Sequence, residues 1–290
     1  MLVTGATGFL GREVVARLAR EHDVVPVGGR TALPGGLAAD LRRPGIWGPL
    51  LAEVRPDWVV HLAAYREPDF CEDHPEETRA LNTRPVAELV RELPPDDRLL
   101  FISTDYVFDG LHPPYREDSE RRPINVYGLS KAEAEDAVLA RPGSLILRIP
   151  LLVGSGPSAD RSGFLTQIVD TLRQNRPVAA DAVLRRFPTW IRDVAEAVAF
   201  LIERDQTGVL HYSGREGLTR HEMIRIAAEV LGHPADHVRP SEDVVPRRAA
   251  RPRDSQLDTT RIEALGFRRF TPFREVVKAF AADFPEVRTG

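Results

Sequence analysis

The sequence has a single cysteine, Cys71, which excludes an internal disulfide framework and a thiolate zinc cluster built from this chain alone. The cytosol is therefore the expected compartment. No run approaches the roughly 18 apolar residues that cross a bilayer, and LILRIPLLV is interrupted by Arg148, so no membrane span is expected. The opening MLVTGATGFLG lacks a basic lead and a cleavage pattern, and reads as a buried strand entering a glycine turn. Excess positive charge is also missing: the formal net charge is −4, which gives no general pull toward nucleic acid. Lysine is nearly absent, since of 39 basic residues only Lys131 and Lys278 are not arginine. Each lysine therefore merits inspection.

What is present suits a folded α/β chain. Hydrophobic residues at 42% and charged residues at 28% of 290 exclude disorder, and the length accommodates a dinucleotide domain plus a smaller substrate-shaping part. Up to about Ile149, short apolar runs (LVT, DVVPV, DWVVHLA, RLLFIS, SLILRI) alternate with amphipathic stretches (GREVVARLARE, PVAELVREL, VYGLSKAEAEDAVLA). That alternation predicts βαβ units in a doubly wound parallel sheet, a Rossmann domain over residues 1–149. Beyond Pro150 the regularity breaks. A helix is expected from Phe164 to Gln174 and a strand near Phe187 to Ile191. DVAEAVAFLIER is expected to return to the Rossmann face, so that 189–207 rejoin the first domain. Residues 150–188 and 208–290 are assigned to a substrate-binding lobe, with GVLHYSG as a strand and HEMIRIAAEVLG as a helix.

GATGFLG places Gly5, Gly8 and Gly11 at three-residue spacing between the first strand and the first helix. Missing side chains let backbone N–H groups approach a pyrophosphate, and the helix N-terminus adds partial positive charge. A tight turn without ligand is the bland alternative. After the second strand, where an acid would hold the ribose 2′-hydroxyl, the chain reads Gly28, Gly29, Arg30. An arginine pairs instead with a 2′-phosphate, which favours NADP(H) while leaving NAD(H) open. Asp40 and Leu41 occupy the place of an adenine-edge pair, although Asp40 could equally cap the following turn.

Tyr127 and Lys131 form Y-x-x-x-K on a predicted helix, which stacks the two side chains on one face about 6 Å apart at Cβ. A chain with five tyrosines and two lysines rarely produces this pair by accident. A neighbouring ammonium would favour tyrosinate, suiting the phenol to exchange a proton with a substrate oxygen, and the lysine could also hold the nicotinamide ribose. RLLFISTDYVFDG ends a strand with Ser103 and Thr104 at the sheet edge where ligands meet such folds, and Thr104 is expected to donate to a substrate carbonyl.

STDYVFDG, PINVYGLSKAEAE and RPRDSQLDTTRIEALGF together resemble the dTDP-4-dehydrorhamnose reductase family of extended short-chain dehydrogenases, over nearly the whole chain. The resemblance implies reduction of a 4-keto-6-deoxy sugar nucleotide by NADPH, with Thr104, Tyr127 and Lys131 catalytic. The expected cofactor contacts are Gly5, Thr7, Gly8, Phe9, Leu10, Arg30, Asp40, Leu41, Ala63, Ala64, Tyr65, Ser103, Tyr127, Lys131 and Pro150. Asp105, Tyr106, Arg186 and Arg251 are the expected substrate contacts. RRFPTWIRDVA, HYSGREGLTRHEM, ARPRDSQLD and FTPFREVV are similar instead to the regulatory β subunit of methionine adenosyltransferase, which implies an NADP-binding partner of that enzyme. The tyrosine and lysine are kept in both, so the motif does not choose between them. A dehydratase or epimerase is a third alternative, but dehydratases of this superfamily follow the threonine with Asp-Glu, whereas Asp105 is followed here by Tyr106. A homodimer is left open.

Other features are weighed and set aside. DFCEDHPEE matches no zinc spacing and reads as an acidic helix lead-in, so no metal is assigned. His61 reads as a hydrogen-bonded core residue. Tyr106 and Tyr115 are candidates for the cleft wall. Arg185, Arg186 and Trp190 could grip a diphosphate and a base, as could Arg251 and Arg253 in ARPRD, against ordinary salt bridges and packing.

Overall fold

The computed structural model describes residues 1–174, 176–243 and 248–289. The chain opens with strand β1 (Leu2–Thr4), helix α1 (Phe9–Leu18), β2 (Val25–Gly28), β3 (Leu37–Ala38), α2 (Trp47–Val54) and β4 (Trp58–His61). Three short helices follow, α3 (Pro68–Asp73), α4 (Pro75–Asn82) and α5 (Arg84–Glu92), then β5 (Arg98–Thr104), α6 (Val126–Leu139) and β6 (Leu145–Ile149). After β7 (Leu152–Val153) come α7 (Phe164–Leu172), β8 (Val178–Asp181), β9 (Thr189–Trp190), α8 (Ile191–Glu203) and β10 (Gly208–His211). The remainder holds α9 (Arg220–Leu231), β11 (Val238–Ser241), α10 (Thr260–Ala264) and α11 (Phe273–Asp283).

Seven strands form one parallel sheet in the order β10-β6-β5-β4-β1-β2-β3. The expected doubly wound Rossmann-like sheet is thus present. Its central strands are apolar on both sides because helices cover both faces. Val3, Val60, Leu100 and Leu147 meet α1 and α8 on one face, where Leu10, Val14 and Leu18 recur every fourth residue along α1. Leu2, Val59, Phe101 and Ile146 meet α2, α5 and α6 on the other. Between β1 and β4 successive crossovers run in opposite directions, which opens a crevice at the strands' carboxyl ends.

The lobe has its own core. Ile168 and Leu172 of α7, Met223 and Ala227 of α9, and Val276 and Phe280 of α11 pack together beside the two-stranded β8-β11 sheet. Helix α9 is pinned at its start by a reciprocal capping box. Thr219 Oγ1 accepts from the Glu222 amide at 3.2 Å and Glu222 Oε2 accepts from the Thr219 amide at 2.7 Å. One placement differs from the sequence expectation: Gly208–His211, assigned to the lobe, is the edge strand of the main sheet, paired with β6. Its four residues, exposed, half-buried and then twice buried, carry no mark of which sheet it joins, and adjacency to β6 is a tertiary choice. Among the described residues no helix is long and apolar enough to cross a membrane.

Candidate functional site

A cleft of about 710 Å³ runs along the carboxyl ends of the central strands, from the β1-α1 turn to the lobe. Every residue expected to touch a cofactor lines it, from Gly5 to Pro150, as do Asp105, Tyr106, Arg186 and Arg251. The turn at its head is built by two glycines. Gly5 sits at φ +66°, and a Cβ on Gly11 would stand 2.1 Å from the Gly5 carbonyl oxygen, so the helix approaches the turn closely only without a side chain. Gly8 caps α1 without a side-chain hydrogen bond, and the first turn carries no acid. The leading amides of α1 are therefore available to an anion.

At the far end of the turn Arg30 is exposed and lines the cleft beside a residue the sequence did not single out, Arg42. Asp40 accepts from Arg42 Nε and Nη2, both at 2.8 Å, and from the Arg42 amide at 3.1 Å. The Arg42 guanidinium holds the Asp40 carboxyl down at about 2. Asp40 thus does close a local turn, and it fixes a second guanidinium in the lining of the cleft. Arg42 Nη1 also donates to the Tyr65 hydroxyl at 3.3 Å. The segment Ala63 to Tyr65 is anchored by buried Asn82. Its Oδ1 accepts from the Tyr65 amide at 2.8 Å, and its Nδ2 donates to the Tyr65 carbonyl at 2.9 Å and to Ser130 Oγ of α6 at 3.0 Å.

At the lobe end, β5 and α6 bring Thr104, Tyr127 and Lys131 together. Asn125 caps α6, its Oδ1 accepting from the Gly128 amide at 2.8 Å, and Gly128 lets the first turn rest on the end of β5: a Cβ there would lie 2.1 Å from the Tyr106 carbonyl oxygen. Lys131 is buried, donating from Nζ to the Ile102 carbonyl at 2.7 Å and lying 3.8 Å from the Phe101 ring centroid. Burial lowers its ammonium to about 7, against the pull of Glu135. Burial raises the Tyr127 phenol well above its ordinary value, opposed by a hydrogen bond with Thr104. The sequence expectation of a phenol lowered by its lysine is therefore reversed, because desolvation outweighs any ammonium effect in so enclosed a position.

Thr104 is held by its neighbours on the chain. Its hydroxyl donates to Asp105 Oδ1 at 3.1 Å and accepts from the Tyr106 amide at 3.2 Å. Buried Asp105 accepts on Oδ2 from Ser255, and burial raises its carboxyl to about 6 against Ser255, Arg186 and Thr104. Ser103, also buried, has an Oγ without a hydrogen-bond partner at the cleft wall.

The lobe contributes Phe164, Gln167, Arg220 and Met223 to the opposite wall, none of them singled out by sequence; the Arg220 guanidinium lies 5.5 Å from the Phe164 ring centroid. Arg186 donates from Nη1 to the Pro252 carbonyl at 2.9 Å, and Arg251 pairs with Asp69 at 3.1 Å. Four candidates fall outside the cleft. Arg185 is turned to the Gly217 carbonyl at 2.9 Å, Arg253 lends its backbone to Arg185, and Trp190 packs between the Rossmann and lobe cores. Tyr115 stacks on Phe108 with centroids 4.3 Å apart and donates to Asp109 at 2.5 Å. The acidic segment binds protein instead: Glu72 accepts from the Val126 amide at 3.0 Å, Asp69 from the Ala249 amide at 3.0 Å, and Asp73 pairs with Arg248. His61 is buried, with Nδ1 at 3.0 Å from Thr4 Oγ1.

Comparison with known proteins places these features in a family. The family described as the RmlD substrate binding domain matches residues 1–285. Methionine adenosyltransferase 2 subunit beta of Bos taurus is 36% identical over 286 residues, covering 96% of this chain and 86% of that protein. A protein of Streptomyces antibioticus described as a probable dTDP-4,6-dihydroxy-2-methyloxan-3-one 4-ketoreductase is 33% identical over 296 residues, covering 99% and 95%. The crystal structure of a hypothetical dTDP-4-dehydrorhamnose reductase from Sulfolobus tokodaii superposes with a TM-score of 0.85 at 32% identity, covering 94% of this chain and 97% of that one.

Proposed function

Because the chain belongs to the RmlD substrate binding domain family, we propose that it is an NADPH-dependent reductase of a nucleotide sugar bearing a 4-keto group. The observation that carries this reading is the convergence of Tyr127, Lys131 and Thr104 at the lobe end of a cleft whose other end is a side-chain-free helix terminus. The residues present fit a dinucleotide. A Cβ at Gly11 would fill the turn, and Arg30 with Arg42 supplies two guanidinium groups where a 2′-phosphate would lie. Gly5, Gly8 and the α1 terminus would hold the pyrophosphate, and Lys131 the nicotinamide ribose. The bound cofactor supplies hydride.

The protein's own part is proton delivery and orientation. Burial keeps Tyr127 protonated at neutral pH, and a sugar oxygen turning into an alkoxide is more basic than a phenol, so the proton moves from Tyr127 to that oxygen. The partly charged Lys131 stabilises the tyrosinate left behind. The lobe wall of Phe164, Arg220 and Arg186 offers an aromatic face and cations to a nucleoside diphosphate. Incubation with NADPH and dTDP-4-keto-6-deoxy-L-mannose should consume the reduced cofactor, and Tyr127→Phe should slow turnover about 100-fold or more. Equal rates in both proteins would end this assignment.

A second reading has one observation in its favour, the 36% identity to a methionine adenosyltransferase subunit across 96% of the chain. On that reading the protein is an NADP-binding regulatory subunit. Absence of turnover, together with a stoichiometric complex with a methionine adenosyltransferase on gel filtration, would select it.

A further inference from the structure

Resting on the reductase reading, we infer that Glu135 and Arg148, a buried ion pair that does not line the cleft, are positioning residues that fix α6 lengthwise on the sheet and so set where Tyr127 and Lys131 stand. Tyr127, Lys131 and Glu135 recur every fourth residue along α6, on one side of the helix. Glu135 is fully buried. Its Oε1 accepts from Arg148 Nε at 2.9 Å and its Oε2 from Arg148 Nη2 at 2.7 Å, a two-point hold that fixes both distance and direction. Arg148 itself is set in β6, in register with Ser103 of β5, and its Nη1 donates to the Glu117 carbonyl at 3.2 Å. One turn earlier on α6, Lys131 reaches the Ile102 carbonyl of β5 at 2.7 Å. The helix is therefore tied to two neighbouring strands.

The other residues that α6 buries are Gly128, Ser130, Ala132 and Ala134, with Val138 near its end. Side chains this small bring the helix close to the sheet but form no ridges to interlock with it, so apolar packing opposes sliding only weakly. A buried ion pair adds little to stability, because desolvating both charges offsets their attraction, and its best-attested use is to select one register. Arg121 reinforces the hold, donating from Nη1 to Glu135 Oε2 at 3.1 Å and to the Ala132 carbonyl at 3.0 Å. The histidines packed against these groups bring no charge of their own. His211 of β10, with Nε2 3.2 Å from Arg148 Nη1, is held by burial at about 3, and so is His61 of β4 beside Lys131. Glu135 in turn supports the Lys131 ammonium against burial. A displacement of about 1 Å at a reacting group costs up to about 100-fold in rate, so the place of α6 on the sheet is a kinetic matter.

Replacing one partner leaves the other as an unpaired buried charge and compromises folding, so the test replaces both, combining Glu135→Met with Arg148→Met in the intact chain. Because the sequence has only two lysines, lysine labelled with ¹³C at Cε gives two NMR signals, and Lys278→Arg identifies the exposed one. In the wild type Lys131 should give one sharp signal titrating at about 7. In the double variant that signal should split or broaden, while the melting temperature falls by no more than about 3 °C. The kcat should drop about 10- to 100-fold, with KM for the nucleotide sugar within about twofold. An unchanged Lys131 signal, a kcat close to that of the wild type, or a double variant that fails to fold overturns the inference. If the wild type turns over no nucleotide sugar, the reductase reading falls, and the Lys131 signal still decides whether the pair places α6.

Discussion

Asn125 joins the helix that carries Tyr127 to a strand of chain 125 residues away: its Oδ1 caps α6, and its Nδ2 donates to the Ala250 carbonyl at 2.8 Å. One side chain therefore ties helix initiation to the docking of residues 248–258. Asn125→Asp keeps the cap and loses the donor, whereas Asn125→Ala loses both. Urea unfolding should show Ala costing about 1–2 kcal/mol and Asp measurably less. Equal losses would mean that the Ala250 contact, not the cap, dominates.

Gly128→Ala should be costly for so small a change. The added Cβ would meet the Tyr106 carbonyl oxygen at 2.1 Å, so either α6 or the end of β5 must shift. Destabilisation of roughly 1–3 kcal/mol is expected, with a loss of turnover beyond what stability explains, because the same shift displaces Tyr127 from Thr104. A variant with wild-type melting temperature and activity would refute the close approach of helix and strand.

Lys131 makes stability depend on pH in a defined direction. Its folded value, about 7, lies below its ordinary 10.5, so the unfolded chain binds more protons between these limits. Stability therefore rises with pH across that window, and the burial penalty is fully present below about 7. Lys131→Met removes the penalty. Relative to wild type it should gain stability at pH 6, on the order of a few kcal/mol, and little or none near pH 10. Equal gains at both pH values would contradict a desolvated ammonium.

Cofactor choice should reside in two guanidinium groups. Arg30→Ala and Arg42→Ala should each weaken NADPH binding about tenfold while leaving NADH within about twofold, as expected for loss of a charge-assisted phosphate contact. Calorimetry with both coenzymes measures this. Asp40→Ala frees Arg42 and should erode the same preference more mildly. Losses shared equally by NADH would assign these arginines to the adenosine rather than to a phosphate.

Much of the fold was legible because its signals are local. The glycine turn, the predominantly apolar β4, β5 and β6, and the four-residue recurrence along α1 follow from covering a parallel sheet on both faces, and each appears where expected. Y-x-x-x-K placed Tyr127 and Lys131 on one helix face for the same reason. The two-residue strands β3, β7 and β9 were less legible, because strands so short carry no periodicity; only the segment around β9 was marked. Pairing across long separations is silent in sequence, which is why β10 was assigned to the lobe, why Ser255 was not connected to Asp105, and why Tyr115 and Arg185 were considered for the cleft. The sign of the Tyr127 shift needed the depth of its burial, a property of the assembled interior. Arg42 could have been noticed two residues after Asp40, but in a chain with so many arginines that spacing does not stand out.

The position of β10 bears on how the molecule comes into being. This edge strand is synthesised only after the chain has left the sheet at β6 and built α7, β8 and β9. A nascent or truncated chain ending near residue 207 would present β6 with an open row of amides and carbonyls, and with Arg148 deprived of the His211 nitrogen it meets at 3.2 Å. Such an edge is a template for pairing with another copy. The last strand of the sheet thus satisfies the β6 backbone and Arg148, and shortened versions are expected to precipitate rather than to yield an isolated nucleotide-binding half.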